Sequence, residues 1–278
     1  MKTVGFIDYF LNEWHANEYP GMIRAYNEKN GTDYQVQYAW AERDIPGGMS
    51  TDEWCALHGI SRCNSIEELC EKCDHVIVLS PSNPEKHLGY AKAVFACGKS
   101  PYIDKTFAPD YATAKAIYAL AEECGVQFFS SSALRYAEEL NAYMGTAKEI
   151  FTTGGGSNFD EYIIHQIEMV VKCLGVGAEK VRYVKEGEKE WAEIAYTNGK
   201  QAKMLYANAL PFEATVTDEN ECKRLPIQSA FFDNLIADIF HFFETGELSF
   251  SKDETLEVAK IREAVINAKA DACVWKPL

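Results

Sequence analysis

The feature that most constrains this chain is the alternation, through its first half, of short apolar runs with segments carrying helix punctuation. "TVGFI" (3–7), "YQVQYAW" (34–40) and "HVIVLS" (75–80) read as strands, being rich in β-branched and aromatic residues, and "PYID" and "VQFFS" follow as the fourth and fifth. The core of "HVIVLS" is an unbroken apolar run, the pattern of a strand covered on both faces in a parallel sheet. Between the strands, Ser50 with Glu53 and Ser65 with Glu68 have capping-box spacing. Asn83-Pro84 opens a helix that Gly98 closes, and "ATAKAIYALAEEC" runs from near Pro109 to Gly125. Strand–helix–strand repeated this way requires right-handed crossovers and a doubly wound parallel sheet.

The pattern changes after about Ser130. "TTGGGSN" reads as a glycine-rich joint, and a helix is predicted from about Asp160 to Leu174. "KVRYVKEG", "WAEIAYTNG" and "QAKMLYANAL" then alternate as antiparallel strands, with Asn198-Gly199 as a tight turn. Ile227, Phe231, Leu235, Ile239 and Phe243 form one helical stripe, and a last helix is capped by Ser251 with Glu254. The expected architecture is therefore an α/β Rossmann-like domain over 1–129, followed by an α+β domain with a mostly antiparallel sheet over 130–278.

Composition narrows the function. The formal net charge of −15 repels phosphate backbones and anionic lipids, so no nucleic-acid or membrane partner is expected. No apolar run reaches the ~20 residues of a membrane span, and Lys2 is followed at once by a strand rather than a signal segment. Nine cysteines, an odd number scattered through apolar stretches, suggest reduced thiols and a cytoplasmic protein. Cys55, Cys63, Cys70 and Cys73 include only one C-x-x-C, so helix-face thiols are favoured over a zinc site, and no metal is expected.

The stretch from Ser80 to Val126 resembles the Gfo/Idh/MocA oxidoreductases in the order and spacing of its parts. The matches are Ser80-Pro81-Ser82 with His87, then Gly98-Lys99, then Asp104-Lys105-Thr106 where that family has E-K-P. Arg135 in "ALRYAEEL" and the terminal "FFDNLIADIFHFFETGELSFSKDETLEVAKIREA" extend the similarity over nearly the whole chain. The resemblance implies a nicotinamide cofactor along the C-terminal strand edge, with Ser80, Ser82, His87 and Asp104 beside it. It also implies a sugar or cyclitol substrate between two domains, and dimers or higher homo-oligomers. Lys105 is implied as the catalytic amine; a lysine at a strand end in a cleft loses water, which favours its neutral form for proton transfer.

In "DEYIIHQIEMVVKCLG" the helical spacing puts Ile164, Ile167, Val171 and Leu174 on one face. Glu161, His165 and Glu168 fall on another stripe. The resemblance implies His165 as general acid/base and Glu161 as a catalytic acidic partner, with Glu168, Tyr162 and Arg135 toward substrate. A flanking carboxylate would orient the imidazole. Divalent-metal binding by E-x-x-x-H-x-x-E and a plain solvated face are the competing readings.

One departure stands out. Where G-x-G-x-x-G would grip a pyrophosphate after the first strand, this chain has Asp8, Phe10 and Glu13. A carboxylate about 4 Å from a phosphate costs up to ~4 kcal/mol at an effective dielectric of ~20. Pro20-Gly21 suggests a wide loop before the first helix. Against this, Glu42 in "AWAERD" stands where an acidic side chain accepts adenosine ribose hydroxyls, favouring NAD over NADP. Two functions follow: a dehydrogenase acting on a CH–OH group, or a relative that has lost redox chemistry and serves as a ligand-binding protein or a cofactor-free lyase or isomerase.

Overall fold

The computed structural model describes all 278 residues. They divide into two units, residues 1–131 with 235–249, and residues 132–234 with 250–278. The chain thus returns to its first unit late, where the sequence suggested a single boundary after residue 129.

The first unit is built from β1 (Lys2–Asp8), α1 (Trp14–Asn30), β2 (Tyr34–Ala41), α2 (Thr51–His58), β3 (Ser61–Arg62), α3 (Ile66–Lys72), β4 (His75–Val78), α4 (His87–Ala96), β5 (Tyr102–Ile103) and α5 (Tyr111–Cys124). The strands form a parallel sheet in the order β3-β2-β1-β4-β5. Its central strands β1 and β4 are buried beyond their first residues, which is why β4 reads as an apolar run. The order reverses between β1 and β4, the switch point at which open α/β sheets form a ligand crevice. Gly5 has no room for a side chain: a Cβ there would meet Cys73 and Leu69 at 2.6 Å. Cys55, Cys63, Cys70 and Cys73 are all buried, and burial pushes the Cys70 and Cys73 thiols up to about 12.

Three local readings change. "VQFFS" supplies no strand, only a single bridge from Phe129 to Tyr102, and the short edge strand β3 was not foreseen. Pro20-Gly21 lies inside α1 rather than in a loop, because Ala16, Tyr19 and Ile23 give that helix a buried face on both sides of the proline. Proline's fixed φ tolerates the helix, at the loss of one backbone bond. Asn83 does not cap the helix after it; the chain enters α4 through a 3₁₀ turn over Pro84–Lys86.

The second unit contains β6 (Glu149–Gly154), α6 (Phe159–Leu174), β7 (Ala178–Glu186), β8 (Lys189–Tyr196), β9 (Gln201–Tyr206), β10 (Glu213–Thr217) and β11 (Cys222–Pro226). It is completed by the start of α7 (Phe231–Thr245), by α8 (Lys252–Asn267) and by β12 (Lys276–Pro277). Its sheet runs β11-β10-β6-β9-β8-β7-β12, antiparallel except where β6 pairs with β9. The Asn198-Gly199 turn joins β8 to β9, with Gly199 at φ +83°. "TTGGGSN" is not a linker: Thr152–Gly154 end β6, and Asn158 caps α6. Ile164, Ile167, Val171 and Leu174 of α6 are buried in the core that α6 and α8 share with the sheet. No helix is long and apolar enough to cross a membrane.

The α7 stripe is displaced from its expected phase. Ile227 precedes the helix, and the buried positions are Leu235, Ile236, Ile239, Phe240 and Phe242. Within the first unit Phe240 stacks on Tyr34 and Phe243 on His75, so this late segment completes the packing beside β1 and β4.

Candidate functional site

At the C-terminal edge of the parallel sheet, β1 ends in Asp8, which is 1% exposed. Its Oδ1 accepts from the Tyr9 amide (2.7 Å) and the Ser80 hydroxyl (3.0 Å), while Oδ2 is buried with no partner. Burial, and then the Glu13 charge, hold the Asp8 carboxyl well above the usual range; its bonds from Ser80 and Tyr9 offset only part of this. Ser80 sits at φ 66°, a conformation uncommon for a residue with a side chain, and its Oγ also accepts from Tyr9 N at 2.8 Å. The turn after β4 and the turn after β1 are thereby tied together.

Glu13 is the N-cap of α1. One carboxylate oxygen accepts from the His15 amide at 2.9 Å and the other from the Ala16 amide, so the free N–H groups at the start of the helix are held by the chain's own anion. Burial raises its pKa, with the His15 charge and these two bonds opposing. Leu11 is buried, and Tyr9 and Phe10 lie side by side, half-buried, in the stretch a glycine-rich turn would leave open.

Next along the edge, the buried Asp104 pairs with His15 Nδ1 and accepts from the Lys105 amide (2.8 Å) and the Tyr102 hydroxyl (3.2 Å). Burial alone would raise the Asp104 pKa, but His15 and Lys105 outweigh it and the net direction is down. Lys105 itself is 9% exposed, and the Lys105–Thr106 peptide is cis. His87 is fully buried between the carbonyls of Phe107 (Nδ1, 2.9 Å) and Leu79 (Nε2, 2.6 Å), which makes it a strut between two turns. Glu42 is exposed at the end of β2, but it already accepts from Lys86 (2.5 Å) and Tyr90 (2.7 Å). Burial would raise its pKa; these two bonds lower it. Ser82 is exposed beyond this group. The first unit therefore gathers Asp8, Ser80, Asp104 and Lys105 along the ends of β1, β4 and β5.

In the second unit, Arg135 is 6% exposed and ion-pairs with Glu168 (3.1 Å) and Glu254, with the Phe250 ring 3.9 Å from its guanidinium carbon. Burial opposes its charge, and the two carboxylates restore it. Glu168 also accepts from the Ser132 amide at 2.9 Å. Arg135 and Glu168 thus hold each other inside the unit rather than facing outward. His165 is partly exposed on α6, and its Nδ1 lies 2.5 Å from the Ser132 hydroxyl. Glu161 meets the Asn158 side chain at 3.1 Å and Ser157 at 3.4 Å, near the helix start. Tyr162 stands edge-on to His165, as does Phe212.

The sequence matches no family model and no curated protein. Solved structures do match. Myo-inositol dehydrogenase from Lactobacillus casei, in complex with NAD(H) and myo-inositol, superposes with a TM-score of 0.79 at 12% identity, covering 100% of this chain and 96% of that one. GenD2 from gentamicin A biosynthesis, in complex with NAD, gives 0.77 at 13% identity, covering 100% and 97%. Ligand-free scyllo-inositol dehydrogenase from Lactobacillus casei gives 0.75 at 13%, covering 99% and 98%. This chain has the fold of these inositol dehydrogenases.

Sequence reasoning missed three side-chain partners, two in the first unit and one in the second: His15 on Asp104, Lys86 on Glu42, and Ser132 on His165. The Ser132–His165 and Lys86–Glu42 pairings cross 33 and 44 positions, beyond any local pattern. Glu13 was seen as a missing glycine but not as a cap, because glutamate is not among the usual N-cap residues.

Proposed function

We propose that this chain is an oxidoreductase acting on a CH–OH group of a sugar or cyclitol-like molecule, with NAD as its cofactor. The observation that supports the reading best is the full-length match to a myo-inositol dehydrogenase holding NAD(H) and to GenD2 holding NAD on the same fold. Bound NAD would accept the hydride. The residues that would hold it are Glu42 toward the adenosine ribose, the Ser80 turn, and the His15 and Ala16 amides at the start of α1 once Glu13 gives them up. Lys105 takes the hydroxyl proton and His165 serves in proton transfer, its ring fixed through Nδ1 by Ser132. Asp104 fixes the Lys105 backbone through its bond to the amide. Small-molecule substrate and self-association into a dimer or higher oligomer belong to the same reading.

NAD⁺ is expected to raise the melting temperature more than NADP⁺, since Glu42 repels a 2′-phosphate. Lys105→Ala and His165→Ala are expected to abolish turnover of a polyol panel while leaving the fold intact. No shift with either cofactor at millimolar concentration would remove the reading. A second reading, a relative without redox chemistry, is favoured by one observation, the Glu13 carboxylate resting on the α1 amides.

A further inference from the structure

We infer that Glu13 is an internal occupant of the phosphate position at the β1–α1 turn, and that it sets how tightly this chain takes a dinucleotide. The inference rests on the reading just given. A helix N-terminus attracts phosphate because its first amides have no intrahelical partner and its dipole favours negative charge. In α1 that demand is already met. The Asn17 amide bonds back to the Glu13 carbonyl at 3.0 Å, which starts the helix, and the His15 and Ala16 amides both go to the Glu13 carboxylate. A phosphate reaching those amides must displace a carboxylate that carries the same sign of charge.

A second observation comes from the same turn. Asp8 Oδ2 is buried and unpartnered, and the Glu13 charge adds to burial in raising the Asp8 pKa. The turn therefore holds more acceptor capacity than it has donors to satisfy. Of the basic groups at the turn, His15 is engaged by Asp104, Lys86 is paired with Glu42, and Lys86 and Arg43 lie over the Tyr9 ring; Ser80 is spent on Asp8 Oδ1. The backbone contacts a phosphate would make at the helix start are the His15 and Ala16 amides, and Glu13 controls both.

The test is NAD⁺ binding to the whole protein, wild type against Glu13→Gln and Glu13→Ala, by calorimetry and by quenching of tryptophan fluorescence at pH 7.5. Gln keeps one neutral acceptor oxygen for one of the two amides and frees the other; Ala vacates both. Both variants are expected to bind NAD⁺ at least about tenfold more tightly than wild type. Adenosine, which has no phosphate, is expected to bind all three alike. Equal NAD⁺ affinity in wild type and variants would overturn the role of Glu13 and leave the dehydrogenase reading in place. Weaker binding by Glu13→Gln would do the same, since Glu13 would then be a contributor to the site. No NAD⁺ binding by any of the three would overturn both. Should Glu13→Ala fail to fold by circular dichroism, the Gln variant decides alone.

Discussion

Replacing Asp8 by Asn should stabilise the protein in a pH-dependent way. The buried carboxylate has one oxygen satisfied by Tyr9 and Ser80 and one with no partner, beside the acidic Glu13. Leaving a buried polar group unsatisfied costs about 1–3 kcal/mol, and more when it is charged. Because burial raises the folded pKa above the unfolded value of 3.8, the folded state holds a proton that the unfolded chain has released. Stability contributed by that proton is complete below the unfolded pKa and is lost as pH rises through the folded one. Asn has no proton to lose, so the Asp8→Asn advantage should be small in acid, grow through this window, and level off above it at about 1–3 kcal/mol. For a domain of 150–250 residues each kcal/mol moves Tm by about 2–4 °C. Paired thermal scans of wild type and variant from pH 4.5 to 9 read the difference directly, and other titrations common to both cancel. A difference that is flat with pH, or largest in acid, would show that Asp8 is not held neutral by burial.

Other outcomes follow from single contacts. Arg135→Met should cost about 3–5 kcal/mol in urea unfolding, because it strands Glu168 in the interior; adding Glu168→Met should recover much of that loss. His75, stacked on Phe243 and lowered to about 4 by burial, is neutral in the folded state. Stability should therefore fall as pH drops from 6.5 toward 4, and His75→Phe should remove about 1–2 kcal/mol of that fall, a figure discounted for the partial exposure of the ring. An unchanged acid profile in His75→Phe would place the proton uptake elsewhere.

The fold was legible wherever one strong local signal sufficed. β1 and β4 announce themselves because a strand buried on both faces must be apolar along its length, and β2 through its β-branched and aromatic residues. α5 and α8 are bracketed by caps that the structure shows, Asp110 with Gly125 and the Ser251–Glu254 box. The failures share a cause. β3 has two residues, both exposed, and pairs only through its backbone, so its side chains carry no trace of the sheet. "VQFFS" has the composition of a strand, yet its phenylalanines are used on Phe95, Phe107, Tyr102 and Phe242. Aromatic burial and strand pairing leave the same mark on a sequence.

The site separates along a different line. Side chains whose partners are close in sequence, such as Asp104 with the Lys105 amide, could be placed on a strand end by pattern alone. Those whose partners are distant could not: Arg135 looks like an outward substrate hook until Glu168 and Glu254 are seen on either side of it. The β1–α1 turn is the sharpest case. Read linearly, Asp8, Phe10 and Glu13 are three absent glycines, a loss of function by subtraction. In three dimensions Glu13 does what a bound phosphate would do, neutralising the helix start with an anion, and it does so without a ligand. The helix-start amides are therefore satisfied by the chain itself, and any phosphate that enters must be worth more to the helix than the carboxylate it removes.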